Sequence, residues 1–355
     1  MTSERLRRWA ERELTALFAA GHRERVRAFL ALDGEADFQR LPHYVDALRR
    51  MAADAGRAGL HPFQELLRYL AARTLAFPLD RPKAALPELA QLCADLATGP
   101  SRGSILHALA DLELLRSFHK IDAPGWRAEI VAGVRSLFPK VAEDVGPASE
   151  LLDVLWRTGY WCRDAELMRE GTRLADGRTR LLQYTGCYWQ ARELSLRGDA
   201  REAAALLRGM LEARAELEEH GRSWRHYVAV ELAAQEAALG ENGSAAKRLA
   251  EVRRDSGELH DPMLAWDLER AEADVARSRG DAPAEVAAWR RGLAVLEDLG
   301  TDRLSAEFAL ALGEAAQRAD DAAGLDEARR RVDRLLPELR SASELAPRAA
   351  RLRLY

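Results

Sequence analysis

Apolar residues recur three and four positions apart along most of this chain, and the pattern is interrupted at nearly constant intervals. Ala203 and Leu207 follow Gly198 by five and nine positions, and Ala245 and Leu249 follow Gly240 in the same way. A spacing of four stacks two side chains on one helical face. The interruptions at Gly159, Gly198, Gly240 and Gly280 are separated by 39, 42 and 40 residues. Continuing in phase reaches Asp320-Asp321 in one direction, and Lys120 and Asp80 in the other. The pattern therefore predicts helices that break within about three residues of positions 80, 120, 159, 198, 240, 280 and 320.

The residues around each break are suited to a tight helix–turn–helix. Glycine closes a helix in the left-handed conformation, and the acid that follows in Gly198-Asp199, Gly240-Glu241 and Gly280-Asp281 can cap the next helix. Asp261-Pro262 has the same logic, and Pro62, Pro124, Pro147 and Pro283 lie near predicted helix starts. Seven positions before the breaks stand Leu152, Ala191, Ala233, Ala273 and Gly313, mostly small, as close helix packing requires. Four before them stand Leu155, Leu194, Glu236, Ala276 and Ala316, where Glu236 is the exception. Each period of about 40 residues reads as two antiparallel helices that must stack on their neighbours to bury an apolar face. Residues 1–60 read as a helical cap, 61–340 as the repeats, and 341–355 as a tail with a frayed end.

Composition removes other fold classes. The 355 residues include 66 Ala but only 26 Val, Ile and Thr together, too few β-branched residues for a sheet protein. A formal charge of −4 lacks the footprint of a nucleic-acid binder. No apolar stretch approaches the roughly 18 residues that span a bilayer, and the charged N-terminus has no secretory core. Cys93, Cys162 and Cys187 are read as free thiols in a reducing, cytoplasmic setting. Arg outnumbers Lys 49 to 4, as in a bacterial chain from a GC-rich genome. Runs such as Arg329-Arg330-Arg331 beside Asp326, Glu327 and Asp333, and Arg253-Arg254 beside Glu251 and Asp255, are expected to form local ion pairs on solvated helix faces.

The stretch Ala191-xx-Leu194-xxx-Gly198-Asp199-xx-Glu202-Ala203-xxx-Leu207-xx-Met210 resembles the core of a tetratricopeptide repeat, and Leu312-Gly313-xx-Ala316 is similar to that family's first-helix Leu-Gly pair. The resemblance covers residues 61–340, with a period nearer 40 than the family's usual value of about 34. Most of the family's first-helix Trp and Tyr positions and its closing Pro are absent. The resemblance implies a right-handed all-α solenoid of about seven stacked hairpins, serving as a scaffold or as a peptide- or ligand-sensing module.

No catalytic constellation is present. Asp320-Asp321 and Asp326-Glu327 fall at a repeat break, where caps belong; His220 and His226 are six apart, too far round a helix to share a metal. Gly240 to Lys247 lacks the phosphate-loop spacing. Catalytic, metal and cofactor residues are therefore expected to be absent. The one local anomaly is aromatic: Trp156, Tyr160, Trp161, Tyr184, Tyr188 and Trp189 place six of the 23 aromatics within 34 residues. Aromatics and Arg dominate binding hot spots. In the tetratricopeptide-like reading, positions three, six and ten before a break face the concave groove. This gives Trp156, Asp153 and Ser149 from Gly159, and Ser195, Arg192 and Tyr188 from Gly198, with Arg157 and Tyr227 beside them. Trp156, Tyr188, Arg192, Asp153, Arg157 and Tyr227 are accordingly the expected partner-binding residues, the first three partly exposed. The expected function is a non-enzymatic scaffold holding a protein or peptide segment. A sensor acting on a separate effector protein is the alternative, and an all-α enzyme the third.

Overall fold

A computed structural model describes residues 4–34, 41–77, 79, 81–121, 126–162, 164–213, 222–256, 261–299, 302–335 and 345–352. Asp80, Pro124, His220 and the side chain of Trp161 lie outside the described residues. Three helices open the chain: α1 (Glu4–Ala19), α2 (Arg23–Gly34) and α3 (Leu41–Arg57). Seven pairs follow: α4 (His61–Ala76) with α5 (Pro82–Thr98), α6 (Ile105–Ile121) with α7 (Trp126–Val141), α8 (Val145–Trp161) with α9 (Ala165–Ala175), and α10 (Arg180–Leu196) with α11 (Ala200–Glu212). Then come α12 (Arg222–Ala238) with α13 (Asn242–Ser256), α14 (Pro262–Ser278) with α15 (Ala282–Leu299), and α16 (Asp302–Arg318) with α17 (Ala322–Arg334). A short α18 (Ala346–Leu352) ends the described chain, and no strand occurs among the described residues.

The chain divides into two compact units, Met1–Ile121 with Arg127–Leu151, and Asp122–Trp126 with Leu152–Tyr355. In the first, α3 packs on α4, α4 on α5, and α5 on α6, while α4 also meets α6. The boundary expected at residue 60 thus falls between two packed helices. In the second, consecutive helices from α9 to α17 pack in chain order, and α10 meets α12 as α12 meets α14. This is the packing of an all-α solenoid, in which each pair buries its apolar face against the next.

Three of the turn glycines behave as expected. Gly198, Gly240 and Gly280 have φ of 84°, 78° and 71°, and Asp320 takes the same left-handed role at φ 52°. Gly159 does not. It lies inside α8, which runs on to Trp161, and a Cβ there would come within 2.7 Å of Met168 Cγ. Its glycine serves close helix approach, and the real turn precedes Asp164, which caps α9 by accepting from Leu167 N. Asp261, Asp281 and Asp321 cap similarly. Asp199 makes no cap bond and pairs with Arg197 at 3.2 Å instead.

The small positions are buried as the spacing requires: Leu152, Ala191, Ala233 and Ala273 are fully covered, and Leu352 closes over Gly313. Glu236, the polar exception, is buried against the Arg248 guanidinium, whose Nε and Nη2 donate to it at 3.1 and 2.8 Å. Ala191→Phe is expected to cost about 1–3 kcal/mol by overpacking. Arg254→Ala, on an exposed residue whose one ion pair among the described residues is with Asp255, should cost under about 0.5 kcal/mol. Equal melting temperatures for the two variants would contradict this packing.

Two expectations are corrected. The tail is not frayed over α18: Leu345, Ala349 and Leu352 are buried in the core of the last pair. Arg348 donates to Glu314 and Arg329 to the Leu352 carbonyl, at 2.8 and 3.3 Å. The arginines, in turn, form local pairs only in part: Arg329 with Asp326, Arg331 with Glu327 and Arg254 with Asp255 pair as expected, while others reach a neighbouring helix. Arg253 bonds Glu269 and Glu272 of the next helix rather than Glu251, and Arg331 bonds Glu297 of α15 as well as Glu327.

Candidate functional site

The first helices of successive pairs carry a polar ladder whose rungs lie one repeat apart. In the first unit Arg73 on α4 donates to Glu113 on α6 at 3.1 Å, 40 residues on. In the second unit Arg192 on α10 stands 3.6 Å from Glu231 on α12, 39 residues on. Another 39 residues on, Arg270 on α14 donates to the same Glu231 at 3.1 Å. Arg270 also donates to Asp267 at 2.8 Å and to Asp274 at 3.3 Å. Glu231 and Asp267 are almost wholly buried. Such groups are retained in a protein interior only when paired. These rungs are invisible to a search for partners within one helical turn. Adding the 40-residue period to each charge would have found them.

An aromatic cluster lies beside the ladder in the second unit. Trp156 and Trp189 stack with centroids 6.5 Å apart; Tyr188 meets Trp189 edge-on at 5.4 Å and Trp224 edge-on at 5.3 Å, and Trp224 meets Tyr227 at 6.4 Å. The rings thus run without a gap from α8 through α10 to α12. Arg192 lies 4.2 Å from the Tyr160 centroid and 5.4 Å from that of Trp189, a cation–π setting, and its Nη1 donates to the Tyr188 hydroxyl at 2.9 Å. Arg157 donates through Nε to Asp153 at 2.7 Å, and Trp189 Nε1 donates to the other Asp153 oxygen at 3.1 Å. Tyr227 donates to Asp261, the cap of α14.

The six expected residues are therefore brought together, but not in the expected exposure. Trp156 is 0% exposed, because it points into the α8–α9 contact, where its Nε1 donates to Thr172 Oγ1 at 3.4 Å. Tyr188 and Arg192 are buried as well, the ring among its aromatic neighbours and the guanidinium under Tyr160. Burial pushes the Tyr188 hydroxyl up. The partly exposed members are Asp153, Arg157 and Tyr227, joined by Tyr160 and Trp224, which the sequence reading did not select. For Tyr160 the signal was available. Counting three, six and ten back from position 163, the residue before the Asp164 cap, yields Tyr160, Arg157 and Asp153. The same offsets from Gly280 yield Arg277, Asp274 and Arg270.

The electrostatics fit a recessed surface. Asp274 keeps 29% of its side chain accessible, yet burial raises its pKa against the opposing pull of Arg270 and Arg277. Arg157 is 30% exposed. Burial alone would lower its pKa, but Asp153, with Tyr227 and Tyr188 nearby, raises it. Surrounding protein displaces water from these groups without covering them.

Among the described residues no group of His, Cys, Asp and Glu could hold a metal ion, and no helix is long and apolar enough to cross a membrane. No protein-family model matches the chain, and no curated protein matches it significantly. Among solved structures, one similar chain is described as a circular tandem repeat protein with novel repeat topology and enhanced subunit contact surfaces. It is 14% identical, with 96% of this chain and 85% of that chain covered and a TM-score of 0.21.

Proposed function

We propose that this is a tetratricopeptide-like scaffold that holds a protein or peptide segment across the first-helix face of its second unit. The observation that carries the reading is the continuous aromatic run from α8 to α12 with a partly exposed edge of Asp153, Arg157, Tyr160, Trp224 and Tyr227. Rings and Arg fixed in this way lose little entropy on binding, and they supply most of the energy in hot spots. Trp156, Tyr188 and Arg192 support that edge from below, the rings and guanidinium holding it rigid.

The expected result is that Trp224→Ala with Tyr227→Ala weakens a captured partner segment by at least about 2 kcal/mol while helical content by circular dichroism is unchanged. Arg254→Ala should bind as the wild type does. Equal partner affinity in all three proteins would refute the site. Tyr188→Ala with Arg192→Ala is the poorer test, since both side chains are buried and their loss would loosen the fold itself.

A further inference from the structure

Resting on that reading, we infer that the segment held at this edge presents an acidic side chain to Arg157. The donors and acceptors at the edge are unequally used. Every nearby carboxylate already accepts from within the protein: Asp153 from Arg157 Nε and Trp189, Asp261 from Tyr227 and from backbone amides of α14, Glu231 from Gln235 and Arg270. The donors are not so occupied. Arg157 donates through Nε alone, with its guanidinium 5.8 Å from the Trp189 centroid, and its Nη1 and Nη2 meet no acceptor among the described residues. The Tyr160 hydroxyl and the Trp224 Nε1 likewise meet none among them. All three side chains are partly exposed, and Tyr188 lies in the electrostatic surroundings of Arg157 while packing on Trp224.

A surface with donors to spare and acceptors already engaged selects a ligand that brings acceptors. A carboxylate is the strongest, because the paired Nη atoms of a guanidinium can hold both of its oxygens. The neighbouring rings would cover the apolar part of the same segment. The donors come from α8 and α12, on either side of α10, and the contacts between first helices continue from α12 to α14. The occupant is taken to be an internal Asp or Glu, and a free chain end is the rival tested against it.

The test presents the full chain with random peptides displayed inside a loop, so that no chain end is offered, and sequences the peptides retained. Acidic residues beside aromatic or apolar ones should be enriched. A retained acidic peptide should bind Arg157→Gln at least about tenfold more weakly, and the copy with Gln in place of Glu should bind wild type and variant alike. Tyr160→Phe, which removes one donor and leaves the Asp153 pair intact, should weaken the acidic peptide by about threefold. Retained peptides without acidic enrichment, or an acid preference that survives both variants, overturn the carboxylate and leave the scaffold reading standing. Retention of no peptide, or retention unmoved by Trp224→Ala with Tyr227→Ala, overturns both. A stronger preference for a library with free carboxyl ends overturns the choice of a side-chain carboxylate.

Discussion

Arg270→Ala is expected to destabilise the second unit by about 3–5 kcal/mol, the cost of leaving buried charges without their partner. Among the described residues, Arg270 is the one cation that donates to Glu231, Asp267 and Asp274 together. Glu231 and Asp267 each keep only 2% of their surface, so water cannot replace the lost guanidinium. Arg192 stands 3.6 Å from Glu231 without a hydrogen bond to it and would not compensate. Much of the loss should return when Glu231→Gln and Asp267→Asn are added, because the penalty belongs to the stranded charges more than to the missing pair. Urea titration of the three proteins measures both effects. A loss under about 1 kcal/mol for Arg270→Ala would mean that the ladder is far better hydrated than its burial indicates.

Trp156→Ala should cost a similar amount, about 3–5 kcal/mol, through the cavity left by a wholly buried indole. The surroundings are fitted to that ring. A Cβ at Gly171 would lie 2.5 Å from its Nε1, so α9 approaches α8 closely only because position 171 has no side chain. Gly171→Ala is therefore expected to destabilise the wild type and to do so much less beside Trp156→Ala, where the ring is gone. A double-mutant cycle reads this as a coupling of about 0.5–3 kcal/mol. Additive losses would show that the glycine and the indole do not share the contact.

How far the molecule could be read from its residues follows from what each signal can carry. Turn positions were legible because a left-handed residue before a capping acid has few alternatives, and Gly198, Gly240 and Gly280 all take it. Gly159 misled because glycine answers a second need, the close approach of helices, which looks the same in one dimension. The displaced turn then shifted the phase of α8 and placed Trp156 on the open edge in place of Tyr160. Counting from the residue before Asp164 recovers Tyr160, but from Gly198, a true turn, the same offsets give the buried Arg192 and Tyr188. Glu236 looked like a flaw in an apolar column because its partner, Arg248, is on the other side of a turn. The charged ladder escaped for a related reason: its pairs are distant along the chain and regular only at the length of a whole repeat.

The ladder also limits how a chain of this kind can change in length. Its rungs alternate in sign, Arg192 to Glu231 to Arg270, so neighbouring repeats are complementary and are not copies of one another. Excising the single repeat that carries Glu231 would bring Arg192 against Arg270 in a buried setting, and duplicating it would set Glu231 against itself. Like charges so placed repel, with neither water nor a counterion to relieve them. Gain or loss of two repeats at a time would preserve the alternation. Any attempt to lengthen this part of the array by design is expected to work best in pairs of repeats.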